Sequence, residues 1–375
     1  MSTFIDVHVI QNVPPSNLNR DDAGSPKSAV YGGTRRLRVS SQSWKRAARL
    51  YFKDHLDRSD LGTRTKRVVE VVAAAIATKS PEFSDQAEAL AEDVFKAAKI
   101  KVTAPKTKSE ESARAAESGY LLFLSHSQIS RLADAAIASA APGGTLDAKT
   151  VKAIFKEQQS IDIALFGRMV ADDTDLNVDA ACQVAHALSV HSAENEYDYF
   201  TAVDDAKSES SEEDAGAGMI GTVEFSSATL YRYATVNLDL LRENLGDDEA
   251  TARAATAFVE AFVRSMPTGK QNTFANRTLP EAVVVQVRGD QPVSLVGAFE
   301  RAVATTPGSG YVERALEELA AHERRLEDAY GIRPERSVVV SVVDGEATDE
   351  LGERVSFPEL LDTVRTATVG SLARA

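Results

Sequence analysis

Apolar and polar positions first alternate along the chain and then change to the period of a helix. Residues from Thr3 to Ile10 alternate and are rich in Phe, Ile and Val, which predicts a strand that ends at the prolines 14 and 15, with a loop over 17–22. Ser40 or Ser41 can cap a helix that begins near Gln42. Apolar residues at i, i+3, i+4 and i+7 predict its buried face: Trp44, Ala47, Ala48 and Tyr51. The opposite face carries a second set, here called the cationic stripe: Gln42, Lys45, Arg49 and Lys53.

The middle of the chain is predicted to be helical first and β-rich later. Residues 62–158 hold apolar-periodic helical segments and one short strand, YLLFL. β-type signals return with IDIALFGRM from Ile161, and a helix is predicted over ACQVAHALSV, residues 181–190. The arms EYDYFTAV and GTVEFSSATLYRYATVNL flank a polar segment, which predicts a long hairpin with a flexible tip. Between Glu194 and Asp214 there are nine acids and one Lys, a composition typical of a solvated tip.

Helices and strands alternate in the last third of the chain. Helices are predicted over EATARAATAFVEAFVRSM, SLVGAFERAVA and YVERALEELAAHERRLEDAY, with strands at AVVVQV and SVVVSVV and a final helix. Strands that are interleaved with helices and joined partly by hairpins predict an α+β fold. The pattern is compatible with a split βαβ sheet that carries large insertions.

The composition is that of an ordinary globular protein, with 43% hydrophobic and 26% charged residues among 375. No run of about 18 apolar residues occurs, so we expect a cytoplasmic protein with no membrane partner. The single cysteine, Cys182, stands among small apolar residues and is predicted to be buried and inert.

The charges are segregated along the chain. The net charge is −14, yet the 31 residues from Ala23 to Lys53 include eight Lys or Arg and no acid, which leaves −22 on the other 344 residues. Gly32 and Gly33 would let the backbone approach a ligand closely. Arginines 35, 36 and 38 then follow in an extended stretch, Arg36 and Arg38 on one face. The polar residues at the helix start and the cationic stripe would suit a polyphosphate; a solvated basic helix that pairs with acids elsewhere is the alternative.

Catalytic chemistry has no convincing candidate in the sequence. The six histidines lack metal-ligand spacing, and no nucleophile has a suitable motif, so we predict no catalytic residue, metal or cofactor. SMPTGKQN lacks the first Gly and the final Ser or Thr of a phosphate loop, which leaves either an RNA-touching turn at Lys270 or a plain turn. Asp21 and Asp22 could bind a divalent metal, but NRDD is equally explained by turn formation.

Several motifs in order along the chain resemble one known family. They are FIDVHVIQNVPPSNLNRDDAGSPKSAVYGGTRRLRVSSQSWKRAARLYF, IDIALFGRM, YFTAVDD, GTVEFSSATLYRYATVNL, LRENLG and TGKQNTFA. Together they resemble the backbone subunit, the CasC family, of the type I-E CRISPR Cascade complex. The helical insertion and the last ~70 residues match less closely.

The resemblance implies a hand-like subunit with an RRM-like palm (ferredoxin-like split βαβ), a helical fingers insertion and a β-hairpin thumb. The implied parts are palm 1–61, fingers 62–158, palm 159–192, thumb 193–223 and palm 224–375. Copies would stack head to tail along one guide RNA (crRNA), which pairs with target DNA. The other implied partners are further Cascade subunits and a recruited helicase-nuclease.

The resemblance also implies which residues touch the guide. Its backbone would be held by Lys27, Ser40, Gln42, Lys45 and Arg49, and the thumb would press on it at Met169, Phe200 and Thr201. Arg20 from the early loop, Arg36 and Arg38 from the basic segment and Lys270 from the Gly-Lys turn complete the predicted RNA-binding set. Phe200 has an alternative role in the hairpin core, and three aromatic residues of one strand face are predicted to be core: Phe225, Tyr231 and Tyr233.

Two alternatives remain at this stage. Backbone subunits of type III CRISPR complexes cut target RNA with an early-loop aspartate, and Asp21 or Asp22 could do so here as a metal-dependent RNase. The acidic segment from Glu209 to Asp214 could be a docking surface instead of a solvated tip.

Overall fold

The computed structural model describes residues 2–104, 115–202, 219–305 and 310–373. The acidic segment around Glu209 to Asp214 therefore lies outside the described residues. The strands are β1 Phe4–Ser16, β2 Ser28–Tyr31, β3 Thr34–Val39, β4 Gly62–Thr65, β5 Val102–Thr103, β6 Glu117–Ser118, β7 Leu122–Ser125, β8 Cys182–Val184, β9 Ala187–Ser189, β10 Glu196–Ala202, β11 Met219–Asn237, β12 Ala282–Arg288, β13 Arg336–Ser341 and β14 Glu353–Arg354.

Helices alternate with these strands, so the predicted α+β class is confirmed. They are α1 Ser41–His55, α2 Val68–Lys79, α3 Ala87–Ala97, α4 His126–Ala140, α5 Ala148–Lys156, α6 Ile161–Phe166, α7 Leu238–Leu245, α8 Asp248–Arg264, α9 Gln271–Phe274, α10 Val312–Tyr330, α11 Glu346–Glu350 and α12 Phe357–Leu372. Among the described residues, no helix combines the length and the apolar character that crossing a bilayer requires.

One large sheet organises the chain, in the order β14-β13-β12-β1-β11-β9-β3-β2. β1 lies in its centre and pairs antiparallel with two strands, so that Phe4 stands opposite Asn237 of β11 and Arg288 of β12. β9 pairs antiparallel with β11 on the far side. In the order β12-β1-β11-β9 each strand is therefore antiparallel to its neighbours, although helices separate most of them in the sequence.

Both faces of the sheet are covered. Because side chains alternate along a strand, Ile5, Val7 and Val9 of β1 face one side, where they join a core with α1, α8 and α12. The other side packs against α10, and Tyr231 and Tyr233 are buried there, which confirms their predicted place in the core. Phe225, further along β11, is half-buried, with its ring centroid 5.8 Å from that of Phe274.

The helical insertion has a hydrophobic core of its own. Buried residues of α2, α3, α4 and α5 form it, together with Val170 and Leu176 from the following loop. The predicted strand YLLFL is confirmed as β7, which pairs with β4 so that Gly62 stands opposite Ser125. The chain thus enters this helical unit at β4 and leaves it just before α6.

Three local predictions are wrong, and long-range strand pairing explains the first. ACQVAHALSV forms β8 and β9 instead of a helix, because β8 and β9 pair with β11 and β9 also pairs with β3. IDIALFGRM is not a strand: it begins with α6, which ends at Gly167 with a φ of 78°. SLVGAFERAVA contains only a short 3-10 helix, Leu295–Phe299. Cys182 is buried as predicted, and burial raises the pKa of its thiol.

Candidate nucleic-acid interface

Helix α1 presents the predicted cationic stripe because its apolar residues anchor the opposite side. Trp44, Ala47 and Ala48 are buried, as the helical period predicts. Ser40 is the N-cap residue, as predicted, but its side chain makes no capping hydrogen bond, and the first turn contains no acid. The hydroxyl of Ser40 is therefore not committed to the helix end.

A cleft of about 1070 Å³ lies between α1, the β4–β7 ribbon of the helical unit and the loop after α6. Four of the predicted RNA-binding residues line it together: Gln42, Lys45, Arg49 and Met169. Four further cations line the same cleft: Arg46, Arg64, Lys66 and Arg168. Among the described residues, Asp179 is the one acid in its lining.

The cations of this cleft are largely free of acid partners. Within the described residues, Lys45, Arg46, Arg64 and Lys66 have no carboxylate within ion-pair distance. Lys45 instead lies over Phe166, with its Nζ 5.9 Å from the ring centroid. A solvated basic helix that pairs with acids elsewhere would show such partners, so the described contacts favour an external anion.

Arg49 is the cation of the stripe that does have a partner. Its Nε donates to Oδ2 of Asp162 at 3.4 Å, and its guanidinium carbon lies 4.4 Å from the ring centroid of Phe123. Burial lowers the pKa of Arg49, and burial raises the pKa of Asp162. Even so, the Arg49 side chain is 21% exposed and lines the cleft.

The loop after α6 turns Met169 outward by anchoring its neighbour inward. Arg168 is buried, and its Nε and Nη2 donate to the carbonyl oxygens of Leu176 (3.0 Å) and Phe155 (2.6 Å). Burial lowers the pKa of Arg168 to about 10. Met169 is 79% exposed at the edge of the cleft, so an apolar side chain stands beside a row of cations.

A second basic group lies at the β2–β3 hairpin. Arg38 donates from Nη1 to Nδ1 of His186 at 2.9 Å and from Nε to the carbonyl of Ser28 at 3.3 Å. Burial, with the charges of Arg38 and Lys27, lowers the pKa of His186. Lys27 and Arg38 are close in space, since the backbone N–H of Arg38 donates to the carbonyl oxygen of Lys27 at 2.9 Å. Ser40 is buried here, and its N–H donates to Asn19 Oδ1 at 2.9 Å.

Arg20 and Lys270 lie beside α1 in a second, smaller cleft. Both line a cleft of about 290 Å³ together with Arg46. Gly269 allows this, since a Cβ there would lie 2.3 Å from the carbonyl oxygen of Leu18. The Gly-Lys turn thus packs on the early loop, which places Lys270 beside other cations.

The structure contradicts the prediction for Arg36. Its side chain has no exposed surface, and its guanidinium donates to Thr34 Oγ1 (2.8 Å) and to the carbonyls of Ser189 and Phe299 (2.9 Å each). Alternation along β3 gives the face of a residue but not what covers that face. Here β9 and the segment after the 3-10 helix Leu295–Phe299 cover it, and Arg36 holds them together.

The hairpin residues lie outside the cleft. Phe200 pairs with Gly221 across β10 and β11, and a Cβ on Gly221 would lie 2.5 Å from the Phe200 ring. The ring thus covers the glycine, and Phe200 still remains 37% exposed. Thr201 is exposed, and neither residue lines the cleft with Met169.

Asp21 is engaged in a turn. Its Oδ1 accepts the N–H groups of Ala23 and Ser25, each at 2.9 Å, while Asp22 is exposed. Across the described ranges, no group of three or more His, Cys, Asp or Glu is arranged to hold a metal ion.

Arg64 and Lys66 belong to the cleft but not to the predicted RNA-binding set. Both belong to TRTKR, residues 63–67, a short basic run at the start of the predicted helical insertion. β4 pairs with β7, and this ribbon lies against α6 and carries the run back toward α1. The proximity of this basic run to α1 comes from the tertiary topology, and the spacing of residues along the chain does not predict it.

The chain shows extensive similarity to known proteins. The model of the family Cas_CT1975, described as CT1975-like protein, matches residues 5–363. The chain belongs to this family. The resemblance to a backbone subunit of a CRISPR Cascade complex is thereby confirmed, and the type I-E subtype stays a prediction. Among curated proteins, none matches this Cas_CT1975 member significantly.

Two solved structures resemble this Cas_CT1975 member over almost its full length. A chain of "CRISPR RNA-guided surveillance complex, pre-nicking" has 39% sequence identity and a TM-score of 0.84, covering 97% of this chain and 100% of that one. A chain of "CRISPR RNA-guided surveillance complex" has 33% identity and a TM-score of 0.72, covering 97% and 99%.

Proposed function

We propose that the chain is a non-catalytic, cytoplasmic backbone subunit that binds the phosphates of a guide RNA. The observation that carries the proposal is the cleft in which Lys45 and Arg49 meet Arg46, Arg64 and Lys66. Cations gathered at one site repel one another unless an anion neutralises them, and an extended row of them suits a polyphosphate. The described acids supply one partner, Asp162, and leave the rest of the row for a ligand.

In this proposal the architecture is a hand. The order β12-β1-β11-β9, with α1 and α8 on one face, supports an RRM-like palm, since it has the arrangement of a split βαβ sheet. The separate core of the helical unit supports a fingers insertion over residues 62–158, and the β10–β11 hairpin supports a thumb. Copies would associate head to tail along the RNA, since a heterologous interface that does not close generates a filament.

The exposed apolar groups give the proposed scaffold a way to divide the guide into segments. Met169 stands at the edge of the basic cleft and could insert between bases, unstacking one of them. Phe200 and Thr201 lie elsewhere, so in this proposal they reach RNA that a neighbouring copy holds. Base pairing, not the protein, would then read the target DNA sequence.

The similar structures support the rest of the proposed assembly. Both are described as RNA-guided surveillance complexes, and one as pre-nicking. We therefore propose guide RNA, further copies of the chain and other Cascade subunits as direct partners. Target DNA would join through the guide, and a helicase-nuclease would be recruited by the whole complex. The type I-E subtype is part of the same proposal.

Binding and cleavage can be tested with the purified protein. We expect it to carry RNA, visible in its ultraviolet absorbance, and to bind labelled single-stranded RNA with an affinity that falls steeply with salt but depends little on sequence. Protein that is free of RNA and fails to bind it at low salt would contradict the proposal. Incubation of the RNA complex with complementary RNA and Mg²⁺ should give no cleavage; cleavage lost in Asp22→Asn would establish the RNase alternative.

A further inference from the structure

One buried carboxylate joins the two edges of the helical unit to the phosphate-binding helix. Oδ1 of Asp162 accepts the N–H of Gly62 at 2.9 Å and the hydroxyl of Ser160 at 2.7 Å. Gly62 stands where the chain enters the helical unit, and Ser160 stands where it returns. The second oxygen, Oδ2, accepts Nε of Arg49 at 3.4 Å, and the Asp162 side chain is only 4% exposed.

Arg49 is held on two sides and open on a third. Asp162 engages its Nε, and the ring of Phe123, on β7, lies 4.4 Å from the guanidinium carbon. Within the described part of the chain, its terminal Nη groups make no hydrogen bond, and the residue lines the basic cleft. A guanidinium is planar and carries its donors in a fixed fork, so holding Nε sets the direction of the Nη groups.

We propose that Asp162 is a positioning residue: it orients the Arg49 guanidinium toward RNA phosphate and ties that orientation to the placement of the helical unit. The inference rests on the proposed RNA-binding function and goes beyond it. A buried ion pair is weak evidence for stability, because desolvation of both charges offsets their attraction. An arginine fixed in one geometry, in contrast, loses less rotamer entropy when it binds phosphate.

Asn at position 162 separates the two roles of the carboxylate. Its Oδ1 can still accept from Gly62 and Ser160, whereas its Nδ2 places a donor against the Nε donor of Arg49. We therefore expect Asp162→Asn to fold but to bind labelled single-stranded RNA several-fold to about tenfold more weakly, the scale of one net hydrogen bond. Ser160→Ala, which removes the local hydrogen bond to Oδ1 and keeps the Arg49 contact, should bind RNA like the wild type.

A double-mutant cycle distinguishes positioning from general damage. If Asp162 acts through Arg49, then Arg49→Ala should weaken binding much less in the Asp162→Asn background than in the wild type. Additive losses, a wild-type affinity in Asp162→Asn, or an equal loss in Ser160→Ala would each overturn the inference. These results leave the proposed function intact as long as the wild-type protein binds RNA, and only failure of the wild type contradicts that function.

A second cycle is available if Asp162→Asn does not fold. Phe123→Leu removes the aromatic face under Arg49 and keeps an apolar side chain at the same position. We expect it to weaken RNA binding when residue 49 is Arg and to have little effect when residue 49 is Ala. If Phe123→Leu lowers the RNA affinity equally with Arg and with Ala at position 49, the proposal that its surroundings position Arg49 is overturned.

Discussion

The guanidinium carbon of Arg232 lies 3.7 Å from the ring centroid of Trp44 in the interior of the protein. The same guanidinium lies 4.4 Å from the Phe262 ring centroid, and its Nη1 donates to Gln11 Oε1 at 2.5 Å. Burial lowers the pKa of Arg232 to about 9. Trp44 stands on the side of α1 opposite the cationic stripe, so this buried cation holds α1 in place from the side away from the stripe.

Replacing Arg232 should loosen α1. In Arg232→Met the buried acceptors on Gln11 and Phe262 lose their donor, so we expect the free energy of unfolding to fall by about 1–3 kcal/mol. The chain contains one Trp, so the emission of Trp44 reports on this site directly in a urea titration. Arg232→Lys keeps the charge but cannot reach both acceptors. Its free energy of unfolding should therefore lie between those of the wild type and Arg232→Met. A Met variant with wild-type stability and an unchanged Trp spectrum would contradict this role.

The ribbon cations should contribute to RNA binding as much as those of α1. The double change Arg64→Gln and Lys66→Gln removes two charges from the cleft, so we expect lower affinity for every RNA sequence. The slope of log affinity against log salt should fall by about 1 to 2, as expected for two phosphate contacts. The measurement is fluorescence anisotropy of labelled RNA across a salt series.

A control with the same chemistry is Lys149→Gln together with Lys156→Gln. Both lysines lie on α5 and neither lines the cleft. This variant loses the same formal charge, so a matching drop in affinity and slope would mean that net charge, and not the cleft, decides binding.

The helical period of α1 made its buried and exposed faces predictable, whereas long-range topology decided the rest. Trp44 and Lys45 are neighbours in sequence but were assigned to opposite faces correctly, because the phase of one helix is a local property. The burial of Arg36 depends on strands and loops that are distant in sequence. For the same reason the segment at Cys182 was predicted as a helix, although its pairing with β11 makes it a strand. Local pattern gives the face of a residue, and the tertiary fold gives its neighbours.

Gly269 should be required for the packing of the Gly-Lys turn on the early loop. A Cβ there would lie 2.3 Å from Leu18 O and 2.7 Å from Asn17 O, both backbone atoms that cannot rotate away. We expect Gly269→Ala to lower the free energy of unfolding by about 1–3 kcal/mol, as for other overpacked sites. Gly370→Ala is the matched control, since Gly370 lies in α12 with no atom near the added Cβ, and it should stabilise by about 0.5–1 kcal/mol. If Gly269→Ala and Gly370→Ala change the free energy of unfolding equally, a steric clash at Gly269 is contradicted.

The last prediction concerns a buried acid on the opposite face of the sheet. Glu323 of α10 is buried, and burial raises the pKa of its carboxyl to about 7, with Glu327 adding to the rise. Gln286 donates to it, and Arg288 Nη2 lies 3.8 Å away, which partly offsets the rise. The folded protein therefore retains a proton that the unfolded chain releases near its ordinary pKa of 4.5.

The sign of the effect follows from this difference. The stabilisation is fully present below pH 4.5 and is lost as the pH rises through about 7, so wild-type stability should fall over that range relative to Glu323→Gln. At 1.36 kcal/mol per unit the change amounts to about 3 kcal/mol. Urea titrations of both proteins across this range measure it, and taking the difference cancels every other titrating group. Glu313→Gln, exposed on the same helix, should keep the wild-type profile, whereas parallel profiles for wild type and Glu323→Gln would show that folding does not raise the pKa of Glu323.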